Sequence, residues 1–383
     1  MYHRVTVIKK GWACFALLCC IPVLLASTAG AQTAADAGLV ALPVGPVSLQ
    51  VEQSTPEQRR LHVGLAIFDP GIPLNEASHS MLGIFPEIRK AESQFMPVLL
   101  RQVLVASNAW GVVRVLPGEQ ITSELLVTGK IRQSNGSRLE VAVAARDATG
   151  RQWLDKTYVD EASSFDYPAV EGSDPYSDLY RKIANDLLAY RRGLDDGQLR
   201  TIRQVALLRY AASLSEEAFG GYLQQNALGI YSVLRLPAEG DPMMARVQGI
   251  RDQEHLFVDT VDEQYVDLYE EMAPTYSLWR QYNREQALYS EDYEARAQTK
   301  ERIGRRGTFS AMEQTYNTYK QIKVQEQDLD DMSAGFNNEV APTVMEASGR
   351  VFRLSGTLNA QYTEWRGILR DIFALETGLP PGN

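Results

Sequence analysis

Between Phe85 and Val159 the hydrophobic pattern changes period twice. In the run EIRKAESQFMPVLLRQVLVASN, the residues Ile88, Ala91, Phe95, Val98, Leu99, Val103 and Ala106 recur at spacings of three, four and one. That pattern predicts a helix with one apolar stripe laid on a sheet. Pro97 falls inside the stripe and predicts either a kink or the start of a second helical segment. Upstream, Leu61 to Asp69 (LHVGLAIFD) is almost continuously apolar, as in a strand covered on both faces. Val112 to Val115 reads as a strand after the helix. Strand, helix and strand within this length make a βαβ unit with a right-handed crossover.

From Leu125 the period becomes two. Leu125, Val127, Gly129 and Ile131 face one way, and Leu126, Thr128, Lys130 and Arg132 the other. Asn135-Gly136 is expected to supply the positive φ angles of a tight hairpin, after which Leu139, Val141, Val143 and Ala145 resume the buried face. A second reversal over Asp147-Ala148-Thr149-Gly150 leads to a strand from Trp153 to Val159, and an amphipathic helix from Tyr176 to Leu194 closes the unit.

After Leu194 no strand pattern stands out. Helix boundaries do: Ser215 as a cap before Glu216-Glu217, Asp241-Pro242 as cap and first-turn proline, Pro274 as a break, and Gly378 past the last helix. Val344, Val351, Leu358, Tyr362, Trp365, Leu369 and Ile372 repeat at sevens, fours and threes, which predicts one final helix in an antiparallel bundle. The expected fold is α+β. A small α/β domain over 59–194 (strand, helix, strand, hairpin, strand, helix) precedes an all-α helical bundle over 195–379, with long, partly coiled-coil-like helices. Residues 32–58, rich in Ala, Gly and Pro, read as a flexible N-terminal arm.

Composition changes this picture at the N-terminus. Arg4, Lys9 and Lys10, the apolar run GWACFALLCCIPVLLA, and Ala29-Gly30-Ala31 form the three-part pattern of a secretory signal peptide, with cleavage expected after Ala31. The run is interrupted by Pro22 and is shorter than a bilayer span, so no integral membrane span is expected once residues 1–31 are removed. Removal takes away three positive charges and no acid, so the formal charge of −10 becomes more negative by three. Such a chain disfavours nucleic acid, whose affinity comes from neutralised phosphates. Cys14, Cys19 and Cys20 all lie in the segment, which excludes a disulfide framework, a thiolate metal site and a cysteine nucleophile from the remainder of the chain.

The element order and the phrase LLVTGKIRQSNGSRLEVAVAARDATGRQW resemble a small envelope domain. It is found in the curli secretion lipoprotein family, in the lipoproteins that activate penicillin-binding proteins, and at the amino terminus of the Tol propeller protein. Val127, Gly129 and Ile131, then Val143, Asp147, Thr149 and Gly150, carry the resemblance. It covers about a third of the chain and implies a non-catalytic domain working in envelope assemblies. The lipidated cysteine of those lipoproteins is missing here, and the long helical second half has no counterpart in them. The whole chain also resembles a group of exported proteobacterial proteins, from which no activity follows.

Candidate chemistry is sparse. There is no G-x-S-x-G, and only His62, His79 and His255 come after the expected signal segment. His255, Asp259 and Asp262 share a helix face, a pattern able to ligate a metal. The simpler reading is the wet side of a helix whose dry side is Leu256, Val261, Tyr265, Leu268 and Met272. A wall-directed glycosidase would need two carboxylates across a sugar, with Glu92 and Glu313 as candidates. Of the chain's 18 tyrosines, Tyr265, Tyr269, Tyr276, Tyr282, Tyr289, Tyr293, Tyr316 and Tyr319 cluster in the second half, as seam fillers or as a binding surface. No catalytic, cofactor-binding or metal residues are assigned. The expected function is a non-enzymatic periplasmic adaptor or assembly factor of the bacterial cell envelope, binding an envelope protein or peptidoglycan. The alternatives are a carboxylate-dependent enzyme acting on an envelope polysaccharide and a periplasmic small-ligand sensor.

Overall fold

The computed structural model describes residues 41–299 except 82–83, 120–122, 164, 168 and 170–173, scattered positions from 316 to 331, and 342–379. The expected signal segment, the first part of the arm and Glu313 lie outside the described residues. The fold is α+β, built on one mixed sheet.

The sheet has five strands: β1 (Val63–Ala66), β2 (Val113–Leu116), β3 (Leu125–Ser134), β4 (Arg138–Asp147) and β5 (Gln152–Glu161), in the order β2-β1-β3-β4-β5. β1 runs parallel to both β2 and β3, while β3, β4 and β5 form an antiparallel meander. The period of two holds along β4 and along β3 as far as Ile131, where a bulge before Gln133 shifts it by one and buries Ser134. Leu125, Val127, Ile131, Leu139, Val141 and Val143 are sealed, and Lys130 and Arg146 on the opposite face are exposed. Only Gly136 has a positive φ in the β3–β4 turn, at 80°. Asn135 acts through its side chain instead, accepting the Ser137 and Arg138 N–H groups with its Oδ1.

Helices α1 (Ala77–Met81) and α2 (Pro86–Ala106) fill the β1–β2 crossover, and α2 runs unbroken through Pro97. A proline cannot bond the carbonyl four residues back. The freed carbonyl, that of Ser93, is taken by the Phe68 N–H at 2.9 Å, so the helix docks on the end of β1 by the group its proline released. Helix α3 (Ser177–Arg192) packs beside α2 under β5, and α4 (Asp196–Leu214) follows after a short turn with an Asp195/Gln198 capping box. The boundary expected between 194 and 195 therefore falls in a tight turn, and the chain from Ala41 onward forms one compact unit.

The second half departs from the sequence expectation. After α5 (Glu216–Phe219) come two short strands, β6 (Leu223–Gln225) and β7 (Tyr231–Val233), then α6 (Pro242–Thr299), a hairpin of β8 (Thr343–Ala347) and β9 (Arg350–Leu354), and α7 (Leu358–Thr377). Val344 and Val351 lie on this hairpin, 62% and 70% exposed, and not on the final helix. Ser348 and Gly349, both at positive φ, turn the chain between them. Helix α7 starts at the Thr357 cap and ends at Gly378 in the left-handed region, as expected. Pro274 does not break α6. It and Glu270, whose carbonyl it frees, are both exposed, so water can take that carbonyl.

The stretch read as a flexible arm is held down from residue 41. Val44 N–H bonds the Val159 carbonyl on the edge of β5, Val47 N–H bonds Asp178, and Asn185 bonds both Gln50 N–H and Ser48 carbonyl. Its composition buries little, but the polar side chains of α3 supply the partners its backbone needs.

Candidate functional site

β2 is an edge strand, and its outward N–H groups need acceptors. Helix α6 provides one. Asp262 accepts the Val115 N–H at 2.7 Å and pairs with Arg101 of α2 at 2.7 Å. One turn earlier Asp259 takes two hydrogen bonds from Arg114 of β2. The helix face bearing His255, Asp259 and Asp262 is thus the face turned to the sheet edge. Asp262 is only 4% exposed and Leu256 is 62% exposed, which corrects the expected division into wet and dry sides. Val261, Tyr265, Leu268 and Met272 are buried as expected. Burial raises the Asp262 carboxyl above its ordinary pKa, against the Val115 N–H and Arg101 that hold it down.

At the starting ends of the parallel strands lies a polar cleft of about 830 Å³, lined by Thr55, Glu57, Gln58, Arg60, His62, Trp110, Gly111, Val112, Glu124 and Arg203. Its charged groups are largely tied to the backbone. Glu124, 4% exposed, accepts the His62 N–H at 2.8 Å and lies 3.8 Å from Arg203. Arg203 donates to the carbonyls of Glu57, Gln58 and Arg60, and Arg60 to that of Thr55. Behind the Trp110 ring, Arg191 stacks at 5.5 Å and donates to the Arg59 and Ala109 carbonyls.

His62 is the shared wall between this cleft and a second, smaller space. The Val112 N–H donates to its Nδ1 at 2.9 Å. Burial lowers its pKa, with Arg114, Arg251 and Arg203 adding to the effect and Glu124 opposing it. The smaller space, about 30 Å³, is walled by His62, Arg114, Ser123, Arg251, Glu254, His255 and Tyr362 together with Val63, Gly64, Leu116 and Val258. Glu254, 2% exposed, accepts the Tyr362 hydroxyl and lies 3.7 Å from Arg366.

The other residues singled out in the sequence fall elsewhere. Glu92 is fully buried, accepting the Ser134 hydroxyl at 2.5 Å and the Tyr276 hydroxyl, with Arg89 at 3.4 Å. Among the described residues no second carboxylate faces it across a cleft. Next to it Arg280 pairs with Asp174 at 2.6 Å and lies over the rings of Tyr176 and Tyr276. Tyr265 and Tyr276 fill seams, whereas Tyr316 and Tyr319 are exposed. His79, on α1, bonds the Pro73 carbonyl of the loop that precedes the helix. Among the described residues no group of three or more His, Cys, Asp or Glu side chains is placed to hold a metal ion, and no helix is long and apolar enough to cross a membrane. Arg114, Glu124, Arg203 and Arg251 carry no sequence signal that separates them from surface charges. Set against known proteins, the chain matches no family model, no curated protein and no solved structure.

Proposed function

We propose that the protein is a non-enzymatic adaptor or assembly factor of the bacterial cell envelope, exported to the periplasm by a cleaved leader and binding an envelope protein. The observation that carries this reading is the apolar surface beside and beyond the sheet. Past Arg284, which meets the β3–β4 turn, α6 continues for about four more turns. Leu278 and Leu288 on α6, with Tyr316, Tyr319 and Val324 at helical positions further along the chain, are each between 41% and 57% exposed. Lys323 lies 5.6 Å over the Phe85 ring, and Phe85 meets Trp279 of α6 edge-on. This supports a returning helix paired with α6 in a coiled-coil-like arm, whose aromatic and aliphatic groups suit a protein partner. The enzyme alternative has less behind it, since Glu92 is sealed away from any cleft. The cleft at His62 favours small-ligand sensing as the second reading, with peptidoglycan as a further binding target.

A photo-crosslinking residue placed at Leu288, Tyr316 or Tyr319 in intact cells should trap one discrete protein. The same residue at Asp155, on the open sheet face, should not. Equal labelling from all positions, or co-sedimentation with purified sacculi that is unchanged by Tyr316→Glu, would count against a protein-binding arm.

A further inference from the structure

The small space behind His62 is rich in donors brought together from separate elements. Arg114 comes from β2, Arg251 and His255 from adjacent turns of α6, and His62 from the residue before β1. Ser123 closes over Gly64, where a Cβ would collide with its hydroxyl and with a Leu116 methyl, so this wall exists because residue 64 has no side chain. Because Nδ1 of His62 accepts the Val112 N–H, the neutral ring carries its proton on Nε2 and is a donor there. His255 is held neutral as well. Burial, then Arg251 and Arg114, push its pKa down to about 3, against a weaker pull from Asp259.

The acids nearby are already engaged, Asp259 by two nitrogens of Arg114 and Glu254 by Tyr362 and Arg366. Arg114 offsets Asp259 and Arg366 offsets Glu254, so among the described residues the space holds no uncompensated acid and is lined by nitrogen donors of Arg114, Arg251 and His62, which suit an acceptor-rich group. At about 30 Å³ it has room for roughly two waters or for a group of similar size, such as a carboxylate.

We propose that this chamber is a binding site for a small oxyanion group, held by Arg114, Arg251, His62, His255 and Ser123. The anion is either free in solution or the acidic end of a larger molecule whose body lies in the neighbouring cleft. The site is independent of the protein-binding arm.

The four histidines of the chain make ring NMR a direct test. The purified full chain is titrated with acetate, inorganic phosphate and N-acetylalanine, the last against its methyl amide. Saturable shifts of the His62 and His255 ring nitrogens are expected, with His79 unmoved. Tighter binding of N-acetylalanine than of acetate, and none of the methyl amide, would assign the acidic end of a larger molecule. Arg251→Gln should weaken binding about tenfold or more by removing a charge-assisted contact. Ser123→Ala keeps every charge and should weaken it a few-fold, so it decides the matter if Arg251→Gln does not fold. Non-saturating shifts with all three anions, shifts shared by His79, or unchanged affinity in the folded variants overturn the proposal.

Discussion

Asp262 is the residue on which the seating of α6 against the sheet most depends, and its replacement by alanine is the sharpest test of the architecture. Removing the carboxylate leaves the Val115 N–H buried between β2 and α6 without its acceptor, a loss of about 1–3 kcal/mol. Arg101, whose side chain is 27% exposed, can turn to water, so its half of the ion pair adds less than about 1 kcal/mol. Against these, the desolvation cost that raises the Asp262 pKa is recovered, offsetting part of the loss. Asp262→Ala should therefore cost about 1–3 kcal/mol, a sizeable share of the 5–15 kcal/mol typical of a folded domain. Asp262→Asn keeps an oxygen for the Val115 N–H and should cost about 1 kcal/mol. Urea unfolding tracked by the fluorescence of the buried Trp279 and Trp365 reads both as shifts in midpoint at constant slope. If alanine costs under about 0.5 kcal/mol, or asparagine costs as much as alanine, the edge-capping role of Asp262 is wrong.

Single residues elsewhere give further outcomes. Gly136→Ala should destabilise the fold by about 3 kcal/mol in the same unfolding assay, because its φ of 80° disfavours a side chain and the new methyl would press on the α6 backbone at Arg280 and Arg284. A loss below about 1 kcal/mol would show that the hairpin and α6 do not touch there. His255, held to a pKa of about 3 when folded, takes up a proton in the unfolded chain near 6.5, so its contribution is present above that pH and lost on acidification. His255→Gln should flatten the acid limb between about pH 6.5 and 4.5, where the parent loses up to about 1.4 kcal/mol per pH unit. An unchanged limb in melts across that range would place His255 in water. Asp160 acts in the opposite sense. Burial lifts its pKa to about 6, so its contribution is present below about 3.8 and lost as pH rises through 6. Allowing for solvent screening, Asp160→Asn should add about 1 kcal/mol at pH 7 and little at pH 4, and a gain equal at both values would remove titration as the cause.

Where one face of an element is buried and the other is wet, residue pattern alone located it. The alternation over β3 and β4 predicted both strands and their buried face, because a one-residue slip would turn Val127, Ile131, Val141 and Val143 out to water. The pattern misled where polar residues are buried by other polar groups. Asp262 looks like a surface acid, and only the nearness of β2, whose edge needs acceptors, puts it inside. Val344 and Val351 stand seven apart whether they repeat along a helix or face outward from the two arms of a hairpin, and the turn at Ser348-Gly349 selects the second.

The same division holds for the candidate site. His62 and His255 were visible as rare residues, but they are 193 positions apart, and nothing in a linear pattern joins them to Arg114, Ser123 and Arg251. The amino-acid order by itself determined the βαβ unit and the meander, because local period suffices for those. Tertiary structure alone decided that α6 lies along the free edge of β2, since that placement depends on unpaired backbone N–H groups whose positions exist only after the sheet has formed.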